Sequence, residues 1–146
     1  MECEPARPPL LILAVEDNPA DVAMLRRVLQ AHHLAYELHV IDHGAQALRF
    51  FHALAHHEHP QCPELLLLDL NIPAMNGREL LRVMKTIPEC AGIRIIMITG
   101  SDDPRDRLEA QRLGADAFFQ KPFGFEAYLQ LGDLIKTVMG AHPRGA

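Results

Sequence analysis

The chain has 146 residues, enough for one domain with a sizeable core and too few for a second of ordinary size. Hydrophobic residues make up 49% and charged residues 23%, an ordinary globular balance, and no apolar stretch reaches the roughly 20 residues of a membrane-spanning helix. A formal net charge of −5 with no long basic run argues against a nucleic-acid footprint.

Met1 to Pro9 carries Glu2, Glu4 and three prolines, without the basic start and apolar run of a signal peptide. Residues 1–9 therefore read as a flexible leader. Leu10 to Val15 is a short apolar run that ends in Glu16-Asp17, the pattern of a strand covered on both faces. Asn18 and Pro19 suit an N-cap and a first helical turn, and Val22, Leu25, Val28 and Leu29 form one helical stripe. A second strand is expected over Tyr36–Ile41. A second amphipathic helix carries Ala45, Leu48, Phe51 (or Phe50) and Leu54, and it frays into His56-His57-Glu58-His59-Pro60.

Leu65 to Leu68 is the third strand, running into Asp69. Asn71 to Gly77, with Pro73 and Asn76-Gly77, is a shaped loop. Arg78 to Ile87 is a short helix stopped by Pro88, and Ile93 to Thr99 is the fourth strand. Gly100 to Pro104 caps a fourth helix that reaches Leu113-Gly114. Ala117 to Gln120 is a short fifth strand, and Phe125 to Met139 a last helix with more apolar surface than one stripe. Residues 10–139 read as the folded domain and 140–146 as a flexible tail. Cys3, Cys62 and Cys90 are odd in number and scattered, which suits a reducing, cytoplasmic setting and suggests neither a disulfide framework nor a zinc site.

Alternating strands and helices with short connections specify an α/β fold: a five-stranded parallel doubly wound sheet of flavodoxin-like order 2-1-3-4-5 with five flanking helices. That order sets strands one and three side by side, so Glu16, Asp17 and Asp69 emerge together at the carboxyl edge. Three acids held close repel one another unless a cation or phosphoryl group belongs to the design. Mg²⁺ suits them, with Asp17 and Asp69 as direct ligands, Glu16 acting through water and the Asn71 main-chain carbonyl as a further ligand. Asp69 is also a candidate nucleophile toward phosphorus. Thr99 and Lys121, at the ends of strands four and five, would stabilise charge on the transferred oxygens.

Val15-Glu16-Asp17-Asn18, the stretch from Asp69 to Gly77, Ile98-Thr99-Gly100-Ser101 and Gln120-Lys121-Pro122-Phe123 resemble the receiver domain of two-component response regulators. The resemblance covers roughly Leu10 to Met139. Glu16 to Val22 and Asn76 to Leu81 are most similar to single-domain regulators paired with bacterial phytochrome histidine kinases. The resemblance implies Asp69 as phosphoacceptor, Glu16 and Asp17 as the acidic Mg²⁺ pair, Lys121 as phosphate contact, and Thr99 with Phe118 as a switch pair. It also implies a cis Lys121-Pro122 bond, a histidine kinase as phosphoryl donor, and output through the face of helix four, strand five and the last helix. Self-association into a homodimer is expected through that face, with no nucleic-acid or membrane partner. The chain would promote its own phosphorylation and dephosphorylation without being an enzyme in the usual sense.

Other readings fit less well. A phosphatase with an aspartate nucleophile would need a second acid where Asn71 stands. A nucleotide-binding domain would need a glycine-rich turn where Glu-Asp-Asn-Pro stands. A receiver-like interaction domain independent of phosphorylation would have no use for the retained acids, Thr99 and Lys121. His52, His56, His57 and His59 read as the solvated end of a helix rather than a metal site.

Overall fold

Five short apolar runs pair into one sheet in the computed structural model, which describes residues 8–140. Residues 1–7 of the expected leader, with Cys3, and 141–146 of the expected tail lie outside the described residues. The strands are β1 (Leu10–Val15), β2 (Tyr36–Ile41), β3 (Leu65–Asp69), β4 (Arg94–Thr99) and β5 (Ala117–Gln120). All neighbours are parallel and the order is β2-β1-β3-β4-β5, the flavodoxin-like arrangement expected. The helices are α1 (Pro19–Ala31), α2 (Gly44–Ala55), α3 (Gly77–Lys85), α4 (Pro104–Arg112), α5 (Phe125–Tyr128) and α6 (Gln130–Gly140).

Because side chains alternate along a strand, each central strand feeds two cores. Leu13, Val15, Leu66, Leu68, Ile95 and Met97 meet Phe51 of α2 and Leu80 and Met84 of α3 on one face. Ile12, Ala14, Leu65, Leu67, Ile96 and Ile98 meet Val28 and Leu29 of α1 and Leu131 and Ile135 of α6 on the other. Each fully buried leucine or isoleucine contributes about 1.5–3 kcal/mol. Every residue of β3 is buried, so Asp69 is the one charged side chain on the strand with the most secure seat.

Local signals place the helix starts. The Asn18 side chain accepts from the Ala20 amide at 2.9 Å ahead of Pro19, and Asn76 accepts from the Glu79 amide at 3.0 Å. Asp103 accepts from the Arg105 amide at 3.0 Å ahead of Pro104.

Four expectations need correction. The predicted last helix is divided at Leu129, whose carbonyl accepts from His32 Nε2 at 2.8 Å and from the Gly132 amide at 3.0 Å. Gly132 leaves the space that the His32 ring occupies. The third helix ends at Lys85, earlier than Ile87, and Pro88–Cys90 forms a 3₁₀ turn. No cis peptide bond occurs among the described residues, so Lys121-Pro122 is trans, the lower-energy isomer even before proline.

The fourth correction concerns the cysteines: Cys62 and Cys90 form a disulfide, with Cα atoms 5.3 Å apart. β3 and β4 are neighbours with Leu65 paired to Arg94, so the segments entering them converge at the amino edge of the sheet. Closing a loop of this length stabilises by about 3–4 kcal/mol through the unfolded chain. Cysteine usage therefore gives no argument for a reducing compartment.

The loop after Asp69 is seated by a close backbone approach. A Cβ on Gly44 would lie 2.4 Å from the Ala74 carbonyl oxygen and 2.7 Å from Met75 Cα. Ala74 itself has φ of 58°, in the left-handed region. Gly44→Ala is expected to destabilise by about 1–3 kcal/mol, since backbone rather than a pliable side chain must yield. Ala74→Gly should instead be neutral or stabilising by about 1 kcal/mol. Urea unfolding of the two variants checks the opposite signs.

Candidate functional site

The register of the sheet brings the candidate residues to one rim. Val15 pairs with Leu68, Asp69 with Ile98, and Thr99 with Gln120, so the residues at or just past each strand end share the carboxyl edge. Glu16 and Asp69 are buried at 7% and 4% exposure, Thr99 is fully buried, and Asp17 is exposed. One carboxylate oxygen from each of Glu16, Asp17 and Asp69 fits within a 4.8 Å cluster. Hard oxygen donors at this spacing, one reaching solvent, suit a small divalent cation such as Mg²⁺.

Lys121 closes the site from β5. Its Nζ lies 2.8 Å from Glu16 Oε2, 2.8 Å from Asp69 Oδ2 and 2.7 Å from Asp21 Oδ2. The Lys121 amide also donates to the Thr99 carbonyl at 2.7 Å, which fixes where its side chain departs. Asp69 Oδ1 accepts from the Asn71 amide at 2.8 Å, so both oxygens of the central acid are engaged. Glu16 Oε1 accepts from the Asn18 amide at 3.1 Å.

These contacts set the protonation of the group. Burial, with the charge of Asp69 added, pushes the Glu16 carboxyl up to about 7 against the opposing hydrogen bonds from Lys121 and Asn18. For Lys121 burial works against the charge, but the bonds to Asp21, Asp69 and Glu16 outweigh it and hold the ammonium above the ordinary lysine range. Burial, and then the charge of Asp21, pushes the Tyr128 hydroxyl up as well.

Thr99 and Phe118 occupy the side of the site next to α4. The Thr99 hydroxyl accepts from the Ser101 amide at 3.0 Å and from the Asn71 side-chain amide, and it donates to Asp106 Oδ2 at 3.4 Å. Among the described residues no hydrogen bond joins Thr99 to Asp69. Phe118 packs half-buried against the core, with the Arg107 guanidinium 5.0 Å from its ring centroid.

Sequence reasoning missed Asp21 and Asp106 as members of the site. Asp21 stands four residues after Asp17, in the first turn of α1; that offset was the available signal. Asp106 shares α4 with Glu109, and nothing in the pattern singles it out. The histidines of α2 assemble no metal group among the described residues, and His57 Nδ1 accepts from the His59 amide at 3.0 Å. Tyr128, Leu131, Ile135 and Val138 are buried in the core, so a wide core face accounts for most of the apolar surplus of the last helix. The large apolar side chains exposed among the described residues are Leu108 on α4 and Phe123.

Comparison with known proteins agrees with this geometry. Residues 12–131 match the family model of the response regulator receiver domain. Response regulator Rcp1 of Synechocystis is 32% identical over 135 residues, covering 92% of this chain and 88% of Rcp1. The DNA-binding response regulator MtrA of Mycolicibacterium smegmatis is 36% identical over 112 residues, but only 44% of its length is covered. Among solved structures, the phosphorylated cyanobacterial phytochrome response regulator RcpA superposes with a TM-score of 0.77 at 23% identity, covering 94% of this chain and 99% of that one. The Mn²⁺-bound form of Rcp1 superposes with a TM-score of 0.72 at 29% identity, covering 88% and 93%.

The raised Glu16 carboxyl has a consequence for stability without metal. Between its ordinary value of 4.5 and about 7 the folded protein holds a proton that the unfolded chain releases. That contribution is full below about 4.5 and is lost as pH rises through about 7. Urea unfolding in chelator should show stability falling across this window by roughly 2–3 kcal/mol. Glu16→Gln should flatten the slope.

Proposed function

Because the chain belongs to the response regulator receiver domain family, we propose that it is the phosphoacceptor of a two-component system, taking a phosphoryl group from a histidine kinase onto Asp69 with Mg²⁺. The observation that carries this reading is Asp69 itself: a buried acid on an all-leucine strand, between an acidic pair and an ammonium 2.8 Å away. An aspartate oxygen attacks phosphorus in line, the phosphorus–nitrogen bond to the donor imidazole breaks, and its electron pair returns to the ring.

Glu16, Asp17, Asp69 and the main-chain carbonyl of Asn71 are the groups that would hold Mg²⁺, which offsets charge on the phosphoryl oxygens. The Mn²⁺-bound form known for Rcp1 supports that assignment. Lys121 supplies the fixed positive charge on the other side. The Thr99 hydroxyl turns from Asp106 toward a phosphoryl oxygen, Phe118 follows into the space released, and the face made by α4, β5 and α6 changes shape. Phe118 has no hydroxyl, so output runs through packing rather than a new hydrogen bond there.

The same groups promote hydrolysis of the aspartyl phosphate, so the protein signals rather than turns over a metabolite. The kinase is read as one of the bacterial phytochrome kind, supported by the Glu16–Val22 and Asn76–Leu81 runs. We read residues 10–139 as the receiver domain, in the cytoplasm and without a nucleic-acid or membrane partner. Among the described residues no helix is long and apolar enough to cross a membrane. Output through protein contacts includes a homodimer on the α4, β5 and α6 face, where Leu108 is 51% exposed.

Incubation with Mg²⁺ and acetyl phosphate should label the protein once, and mild alkali or hydroxylamine should release the label, as for an acyl phosphate. Chelator should prevent labelling, and Asp69→Asn should not be labelled. A wild-type chain that stays unlabelled, or a variant labelled equally, leaves an interaction domain independent of phosphorylation. For the dimer, sedimentation should show self-association that Leu108→Glu abolishes; only monomer, with and without a phosphoryl mimic, rejects that face.

A further inference from the structure

Lys121 has three ammonium protons and meets three carboxylates, Glu16, Asp21 and Asp69, at 2.7–2.8 Å. The oxygens that fit one cation belong to Glu16, Asp17 and Asp69, and Asp21 is not among them. Glu16 and Asp69 therefore face two claims, one from a cation and one from Lys121. Asp17 answers only to the first and Asp21 only to the second. When a cation engages Glu16 and Asp69, and a phosphoryl group sits on Asp69, Asp21 is the carboxylate left wholly to the lysine.

We propose that Asp21 is a positioning residue for Lys121, holding the ammonium at the mouth of the site while Glu16 and Asp69 are occupied by the cation and the phosphoryl group. The inference rests on Asp69 being the phosphoacceptor. Its placement has a local cause. Asn18 and Pro19 begin α1, which puts Asp21 in the first turn, where the positive end of the helix dipole favours a carboxylate. The Asp21 side chain is 24% exposed and that of Lys121 14%, so solvent screens the pair only in part. Without Asp21, Lys121 rests on Glu16 and Asp69 alone. Both of those acids are the ones the cation also claims, so the ammonium has no partner of its own.

The test uses the full chain with Asp21→Asn, Lys121→Met and the double variant. At saturating Mg²⁺, Asp21→Asn should slow labelling by acetyl phosphate about tenfold, and Asp21→Glu should restore most of the rate. In the Lys121→Met background the same change should have no further effect, because its partner is gone. Metal-free urea unfolding of the four proteins gives a cycle that depends on no labelling, and it should show coupling of at least about fivefold in the unfolding constant. Asp21→Ser provides the same readings should the Asn variant not fold.

Labelling unchanged by Asp21→Asn, the same loss with and without Lys121, or no coupling in the metal-free cycle overturns the proposal. If the wild-type chain is labelled and Asp21→Asn behaves like it, the positioning role alone falls. If the wild-type chain takes no label even though the cycle shows coupling, the phosphoacceptor reading falls and takes the inference with it.

Discussion

One ammonium shared among three carboxylates determines how this protein can hold an acidic cluster at the end of a leucine strand. Removing charged groups from water is expensive, and like charges at this spacing raise that cost. Lys121 offsets it at 2.7–2.8 Å from each partner, yet not completely, since Glu16 is still driven up to about 7. Four carboxylates, with Asp17 counted, face a single ammonium, and that excess of negative charge suits a cation at the rim.

The sheet order is the reason the cluster exists. Parallel strands all discharge their carboxyl ends on one rim, and the order β2-β1-β3-β4-β5 makes β1 and β3 direct neighbours. The Glu16-Asp17 pair and Asp69 are distant in sequence and adjacent in space through the β1–β3 register, which sets Val15 beside Leu68. A one-residue slip in that register would turn alternate residues to the opposite face and scatter the acids. The buried leucines of β3 serve both faces at once, so fold stability and the placement of Asp69 depend on the same residues.

What was legible in the sequence was whatever marks an abrupt change of character. Apolar runs ending in Glu16-Asp17, Asp69, Thr99 and Lys121 announced both strands and site, because a strand long enough to be buried leaves its polar residues at its end. Asp21 and Asp106 were not legible as site members: an acid on a helix surface is ordinary, and only packing against Lys121 or Thr99 distinguishes it. The Cys62–Cys90 bridge depends on the β3–β4 register, which cysteine spacing does not contain. The division at Leu129 was hidden for a similar reason. The apolar pattern runs through it unbroken, and the group that interrupts the helix, His32, belongs to the far end of α1.

The two edges of the sheet carry opposite burdens. At the amino edge, the disulfide ties the segments that enter β3 and β4, where no candidate site residue lies. At the carboxyl edge, the loop after Asp69 keeps Ala74 in a left-handed conformation and relies on Gly44 having no side chain. The neighbouring α4 is attached to the rim through groups that can exchange partners, since Asp106 accepts from Thr99 and Arg107 lies over Phe118. Consecutive residues of one helix thus contact both Thr99 and Phe118. A change in where the Thr99 hydroxyl bonds must be felt by α4, because the Asp106 carboxylate loses that donor. With Asp69 as the proposed phosphoacceptor, rigidity at one edge and exchangeable contacts at the other would let a small chemical event move a surface without loosening the core beneath it.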